Sequence, residues 1–399
     1  RPKLRFPGFD EPWNESKLSA CFAKNIKKNT DGRISNVICN SAKMGLIPQR
    51  DYFDKDIANS DNTSGYYIIE HNDFVYNPRK SSDAPYGPIS RYAYPDAGIV
   101  SPLYLCFRAK GDVDTNFFEW YFRSSAWHRY IYMTGDSGAR HDRVSIKDDD
   151  FFSMPIRFPS SIEQKKIASF LNAIERRISS QQLLVDNLKK YKRGVMQHIF
   201  RRITTQSGKA WTCVRLGDIF KKVSRRNTDG LVKNVITNSA EYGLIPQRDF
   251  FDKDIAVDGN TANYYVIEKG DFVYNPRKSI TAPYGPINRY TLDEKGIISP
   301  LYTCLVLKAD IYPSYLAWYF KSDAWHRYIY DNGSQGVRHD RVSMTDDLLM
   351  GIPVIFPDQA KQQEYADILD KIYARLQAAQ KVYDLLIKEK CGYMQQLFI

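Results

Sequence analysis

Asn77-Pro78-Arg79-Lys80-Ser81 returns 198 residues later as Asn275-Pro276-Arg277-Lys278-Ser279. The same offset carries Ala126-Trp127-His128-Arg129-Tyr130-Ile131-Tyr132 onto residues 324–330, and Arg140-His141-Asp142-Arg143-Val144-Ser145 onto residues 338–343. Residues 34–159 set against 232–357 agree at about 75 of about 126 positions without a gap. Solenoid units run to roughly 20–50 residues, so a period this long is a duplicated domain. Two near-copies in one chain give a molecule an approximate two-fold axis, and duplex DNA is the commonest ligand with that symmetry.

The rest of the composition narrows the partner. The 399 residues suggest two or three domains, and 43% hydrophobic residues are enough for real cores. A net charge of +11 favours an anionic partner: nucleic acid, an acidic protein or a membrane face. The six cysteines form no CxxC pair, which excludes a zinc knuckle or a dithiol redox motif. Only Cys106 and Cys304 are matched by the repeat, as expected of core thiols in a reducing cytosol. No signal peptide and no apolar run of membrane-spanning length occurs, so a cytoplasmic location is expected. The chain begins at Arg1 rather than Met, which leaves room for a short leader.

Each copy has two parts. The first is aromatic-rich and broken by Gly, Pro, Asn and Asp. Alternation and β-branched content predict strands at residues 66–70, 73–76, 98–100 and 104–107, and Phe117 to Tyr132 reads as one helix. The fold class is therefore α/β or α+β. The second part is a long helix. Ser160 or Ser161 with Glu163 or Gln164 has the spacing of a capping box. An apolar stripe follows at Leu171, Ile174, Ile178, Val185, Leu188, Val195 and Ile199. It returns at Leu369, Ile372, Leu376, Ala379, Tyr383, Leu386, Tyr393 and Leu397. A stripe of alternating three- and four-residue spacings predicts a coiled-coil seam between two helices of roughly 60 Å. Connectivity makes that pair antiparallel, with pseudo-two-fold symmetry. Lys192 and Lys390 are polar residues at matched stripe positions that can set its register. The expected divisions are recognition domains at 1–159 and 203–357, a central helix at 160–202 and a C-terminal helix at 358–399.

Catalytic motifs are scarce. Asn77-Pro78 and Asn275-Pro276 start like the Asn-Pro-Pro-aromatic motif of amino-methyltransferases, but Arg-Lys follows and no aromatic is left to stack on a flipped base. No Gly-rich loop suggests a nucleotide or S-adenosylmethionine pocket, and there is no GxxxxGK[ST]. His141-Asp142 and His339-Asp340 are the one constellation suited to acid–base or single-metal chemistry, against a structural role in a basic loop. Neither a catalytic nor a metal residue is assigned.

Matched polar sets fit DNA better. Gln49 and Arg50 return as Gln247 and Arg248, and Gln and Arg are suited to adenine and guanine edges. Asn77, Arg79, Lys80 and Ser81, with Tyr86 and Arg91, return as Asn275, Arg277, Lys278, Ser279, Tyr284 and Arg289. Arg140, His141 and Arg143, after the glycine-rich turn 135–138, return as Arg338, His339 and Arg341. In each set the cations suit phosphates and the amides suit bases.

The layout resembles the DNA specificity subunit of type I restriction-modification systems. The resemblance rests on Ile156-Arg157-Phe158-Pro159 with residues 162–171 at the helix start, and on Leu188-Lys189-Lys190-Tyr191-Lys192-Arg193-Gly194-Val195-Met196-Gln197. Leu4-Arg5-Phe6-Pro7-Gly8-Phe9 with Trp13, and Trp211 with Leu216-Gly217-Asp218, add to it. The second helix start departs from it, with Gln362-Gln363-Glu364 in place of the Glu-Gln-Lys order. The resemblance implies two target-recognition domains and two paired helices in a non-catalytic subunit. It also implies two modification subunits, which use S-adenosylmethionine to methylate adenine N6, and restriction subunits, which use ATP and Mg. Close relatives as readers would recognise related, inverted half-sites. The alternative is a DNA-binding scaffold or decoy that supports no modification.

Overall fold

The computed structural model describes residues 2–52, 63–135, 142–201, 211–249, 261–333 and 340–398. The chain divides into two compact units. One contains residues 1–182 with 381–399, and the other contains 183–380.

In the first unit, β1 (Asn14–Lys17), α1 (Leu18–Cys21) and β2 (Phe22–Lys24) lead to the hairpin of β3 (Ile38–Ser41) and β4 (Gly45–Pro48) and the short α2 (Gln49–Tyr52). Then come β5 (Tyr67–Ile69), β6 (Phe74–Tyr76), β7 (Ile89–Arg91), β8 (Gly98–Val100) and β9 (Leu105–Ala109). α3 (Thr115–Arg123), α4 (His128–Thr134), α5 (Asp148–Phe152), β10 (Pro155–Phe158) and α6 (Ser161–Arg201) complete the series. The largest sheet has the antiparallel order β2-β9-β6-β7, flanked by the pairs β1-β10, β3-β4 and β5-β8. The strands predicted at 66–70, 73–76, 98–100 and 104–107 are β5, β6, β8 and β9 with ends shifted by a residue or two.

Strand periodicity explains why the unit has two cores. Successive side chains point to opposite faces. Phe74, Tyr76 and Phe107 enter one core, where Phe22 meets Phe74, Phe107 and Phe118 at ring distances of 5.4, 5.3 and 5.1 Å. Val75 and Cys106 enter the other, with Ile38, Ile69 and Tyr92. Each fully buried large apolar side chain contributes about 1.5–3 kcal/mol, so Phe22→Ala would cost about 3–5 kcal/mol. Cys106 is 1% exposed, as is its counterpart Cys304, and burial pushes both thiols up to about 12.

Two sequence expectations are corrected here. Residues 117–132 form two helices, not one. Ser124 ends α3 with its backbone N–H on Trp120 and Tyr121 carbonyls, its hydroxyl donates to Tyr121 O at 2.6 Å, and Trp127 Nε1 donates to Phe122 O at 2.9 Å. Those bonds satisfy the free carbonyls of α3 and turn the chain. The capping box at the start of α6 does not form either. The Glu163 carboxylate, 1% exposed, is held by Arg5 Nε and Nη2 at 3.0 and 2.6 Å, and the Gln164 amide donates to Pro159 O at 2.8 Å.

The second unit repeats the plan with β11 (Thr212–Arg215), α7 (Leu216–Ile219), β12 (Phe220–Val223), β13 (Ile236–Ser239), β14 (Gly243–Pro246), β15 (Tyr265–Ile267) and β16 (Phe272–Tyr274). β17 (Ile287–Arg289), β18 (Gly296–Ile298), β19 (Thr303–Leu307), α8 (Pro313–Lys321), α9 (His326–Asn332), α10 (Asp346–Met350), β20 (Pro353–Phe356) and α11 (Gln359–Phe398) follow. Its main sheet has the matching order β12-β19-β16-β17.

The apolar stripes of α6 and α11 are buried as their spacing predicts: Leu171 and Val185 are 0% exposed, as is Leu369, and Leu397 is 1%. Within the first unit the end of α11 packs antiparallel to the start of α6. Phe170 meets Tyr393 at 5.2 Å and Glu175 accepts from Lys390 at 3.0 Å. The chain's N-terminal segment joins them, with Leu4 N donating to Gln396 O at 3.0 Å. Within the second unit, Lys192 lies 5.5 Å from the centre of the Tyr373 ring, and Ile199 and Phe200 share a core with Ala366 and Leu369.

Candidate nucleic-acid interface

The site grows out of the β6–β7 hairpin. The chain leaves β6 at Asn77 and returns at Pro88, closed by Asn77 N donating to Pro88 O at 3.0 Å and Tyr76 Oη to Tyr86 O at 2.9 Å. Gly87 sits at φ +81°, and a Cβ there would lie 2.1 Å from Asn77 O. No other residue fits this turn. Gly285 repeats the geometry at φ +80° with 2.0 Å to Asn275 O.

A second loop straps this turn. Lys80 N donates to Asp142 O at 2.8 Å and Val144 N to Pro78 O at 2.9 Å, which pairs Arg79 with Arg143. In the other unit Lys278 N meets Asp340 O and Val342 N meets Pro276 O, both at 2.9 Å, pairing Arg277 with Arg341. Adjacent arginines on one ladder repel each other, so the pairing concentrates positive charge for an outside anion. Arg79 and Arg277 are 70% and 65% exposed, and each has an aspartate, Asp142 or Asp340, at 3.8 Å. Exposed pairs of that kind add between nothing and about 1 kcal/mol, too little to explain why both copies keep them.

Two further elements join the cluster. Tyr86 stacks at a tilt on His128 at 5.0 Å and meets Tyr132, which is 69% exposed, at 6.4 Å. Tyr284 meets His326 at 5.0 Å, and Tyr330 is 66% exposed. Burial pulls the pKa of both histidines below the ordinary value, so each imidazole is neutral near pH 7. The turn before β9 presents Leu103, 64% exposed, on the rim of a cleft of about 450 Å³ also lined by Lys24, Pro78, Tyr104 and Arg143. Leu301 is 61% exposed on the matched turn. The residue reading passed over both leucines. Their signal was Ser101-Pro102-Leu103-Tyr104 returning unchanged at 299–302.

The structure thus brings Arg79, Lys80, Tyr86 and Arg143 together in one unit, and Arg277, Lys278, Tyr284 and Arg341 in the other. Asn77 and Asn275 lie beneath them. Each donates from Nδ2 to the backbone of the neighbouring hairpin, Asn40 O or Asn238 O, at 3.1 Å, and accepts from the arginine N–H two residues on at 3.0 Å. Ser81 and Ser279 accept from Ala84 N and Ala282 N at 3.1 Å, so their retention has a local turn role. Gln49 and Gln247 follow the β3–β4 and β13–β14 hairpins, their backbone N–H groups on Val37 O and Val235 O, and Arg50 and Arg248 are exposed. Arg91 stands apart: 15% exposed, it gives Nε to Glu119 at 2.7 Å and Nη1 to Asn72 at 2.7 Å. Arg289 faces Ser314 of α8 instead. Arg140, His141, Arg338 and His339 lie outside the described residues. Among the described residues no group of three or more His, Cys, Asp or Glu side chains is placed to hold a metal ion, and no helix is long and apolar enough to cross a membrane.

Solved structures with this architecture exist. One is the S subunit of a type I restriction-modification system from M. genitalium, matched over 100% of this chain and 99% of its own at 14% identity, with a TM-score of 0.57. A second is a chain from a structural study of complex assembly and conformational transition of the type I restriction-modification system, matched over 98% of both chains at 16% identity and TM-score 0.56. The fold is that of the type I S subunits. No protein-family model and no curated protein matches the sequence. In S-subunit terms, the two sheet-rich units are the duplicated domains, and α6 and α11 are the long helices that follow each of them.

Proposed function

We propose that the chain is the DNA-recognition subunit of a type I restriction-modification complex. The observation that carries this reading is the strapped basic turn, Arg79-Lys80 against Arg143 and Arg277-Lys278 against Arg341, kept twice on this fold with Arg79 and Arg277 exposed and their aspartates only at 3.8 Å. Each cluster enters a major groove at its own half-site of the duplex. α6 and α11 act as the ruler between two half-sites. Arginine and lysine neutralise phosphates, Gln49, Arg50 and their counterparts are suited to base edges, and Leu103 and Leu301 offer apolar contact to thymine methyls.

The subunit carries no catalytic role of its own. Modification subunits would bring S-adenosylmethionine and flip an adenine in each half-site, and restriction subunits would bring ATP and Mg. The cytoplasm is the compartment this function requires. Fluorescence anisotropy of the complex on its cognate duplex tests the reading. Arg79→Ala with Arg277→Ala is expected to lower affinity by one to two orders of magnitude and to reduce the salt slope, with the melting temperature preserved. Unchanged affinity with a native melt counts against it.

A further inference from the structure

Glu119 has a position in the first unit that shows what its counterpart lacks. Its carboxylate bridges two cations, with Oε2 accepting from Arg91 Nε at 2.7 Å and Oε1 from Arg123 Nη2 at 2.6 Å. Arg123 meanwhile lies 4.9 Å over the Trp120 ring. In the second unit both cations are kept as Arg289 and Lys321, and the tryptophan as Trp318, but Glu119 is replaced by Ala317. Lys321 keeps its place over the ring, 4.8 Å from Trp318. Asn72, the other partner of Arg91, is replaced by Gly270. Arg289 is left with one long bond, Nη1 to Ser314 Oγ at 3.4 Å, and its buried Nε has no partner. Among the described residues no carboxylate pairs with either cation.

The neighbourhood shows the same loss. Glu175, which accepts from Lys390 in the first unit, is replaced by Tyr373, whose ring lies 5.2 Å from Lys321 and 5.5 Å from Lys192. Asp370, whose charge acts on Lys321, already accepts from Trp318 Nε1 at 2.8 Å. A half-buried guanidinium with an orphaned Nε and an ammonium set against ring faces are costly without an anion, and a carboxylate at the place of Glu119, which Arg91 and Arg123 both reach in the first unit, is the least demanding remedy.

We propose that Arg289 and Lys321 form a carboxylate clamp that takes an acidic group from outside the chain, in the place the first unit fills with Glu119. The ligand class is a monocarboxylate, supplied by an aspartate or glutamate side chain of a partner protein or by a free small acid. The site lies on the α8 side of β17 and exists in the second unit alone, so it gives the two halves of the molecule unequal partners.

The test is a set of thermal melts of the full chain in sodium acetate against sodium chloride at equal ionic strength. Wild type is expected to gain more from acetate than either Ala317→Glu, which supplies the carboxylate internally, or Arg289→Gln, which removes the clamp. Ala317→Glu should also melt above wild type in chloride. Glu119→Ala opens a second clamp and should enlarge the acetate gain beyond wild type. A blocked glutamate peptide at matched carboxylate concentration distinguishes the sources: a larger shift than acetate assigns a protein side chain, and an equal shift assigns a free acid. An acetate gain of the same size in wild type, Ala317→Glu and Arg289→Gln overturns the proposal.

Discussion

The same buried carboxylate is paired differently in the two units. Asp73, 0% exposed, receives Arg108 from β9 at 2.6 Å. Asp271, at the matched place, pairs with Arg225 from the segment after β12, while the position matching Arg108 holds Val306. The fold requires a cation on this carboxylate but not a particular strand to deliver it, because a buried charge is tolerated only when paired. The strapped basic turns behave in the opposite way. Arg79, Lys80 and Arg143 return unchanged, although Arg79 is 70% exposed and reaches Asp142 only at 3.8 Å and Arg143 reaches the same aspartate at 3.5 Å. Where a cation secures a buried carboxylate, the pieces have been exchanged. The cations of the strapped turns have not been, as the proposed function requires.

The largest expected effect sharpens the likeness of the two turns. Gly87→Ala places a Cβ 2.1 Å from a carbonyl oxygen at positive φ, and Gly285→Ala does the same at 2.0 Å. Each should cost about 3 kcal/mol or more by strain and clash, read as lost hydrogen-exchange protection in the hairpin of its own unit. A large loss in one unit and none in the other would break the equivalence of the turns.

The exchanged ion pair predicts a somewhat smaller effect and a rescue. Arg108→Ala should cost about 2–3 kcal/mol in denaturant unfolding, at the low end for a broken buried pair, because Arg108 is 47% exposed and Asp73 still accepts from Glu70 N at 2.8 Å. Lys27 occupies the position that carries Arg225 in the second unit. Lys27→Arg added to Arg108→Ala should therefore recover part of the loss. Absence of any recovery would mean that the two arrangements are not interchangeable.

A smaller contrast concerns pH. Burial lowers the pKa of His128, and of His326 where Asp323 partly opposes it. A depressed histidine contributes stability present above its unfolded value of about 6.5 and lost as pH falls toward the folded one. Stability should thus decline as pH falls below about 6.5. Melts of His128→Gln and of His326→Gln should each flatten that decline. A decline as steep as wild type's in either variant would remove that histidine from the account.

Much of this was legible in the sequence, because periodicity and duplication are local signals. The seam stripe, the strands at 66–107 and the matched core thiols needed no tertiary knowledge. The break between α3 and α4 did need it: residues 117–132 are apolar and helix-compatible throughout, and the turn is made by Ser124 and Trp127 reaching back to carbonyls. Glu163 was equally opaque, since its partner Arg5 is 158 residues distant. At the site the cations were legible as matched pairs, whereas the inward commitments of Asn77 and Arg91 emerged only with their partners Asn40 and Glu119 in place.

The central claim, that two related readers address one duplex, is tested most directly by sequencing adenine methylation in a strain whose modification depends on this chain. The account predicts one bipartite motif with a modified adenine in each half, the two half-sites closely similar and inverted about an unread spacer. Two unrelated half-sites, or no motif that depends on the chain, would contradict it.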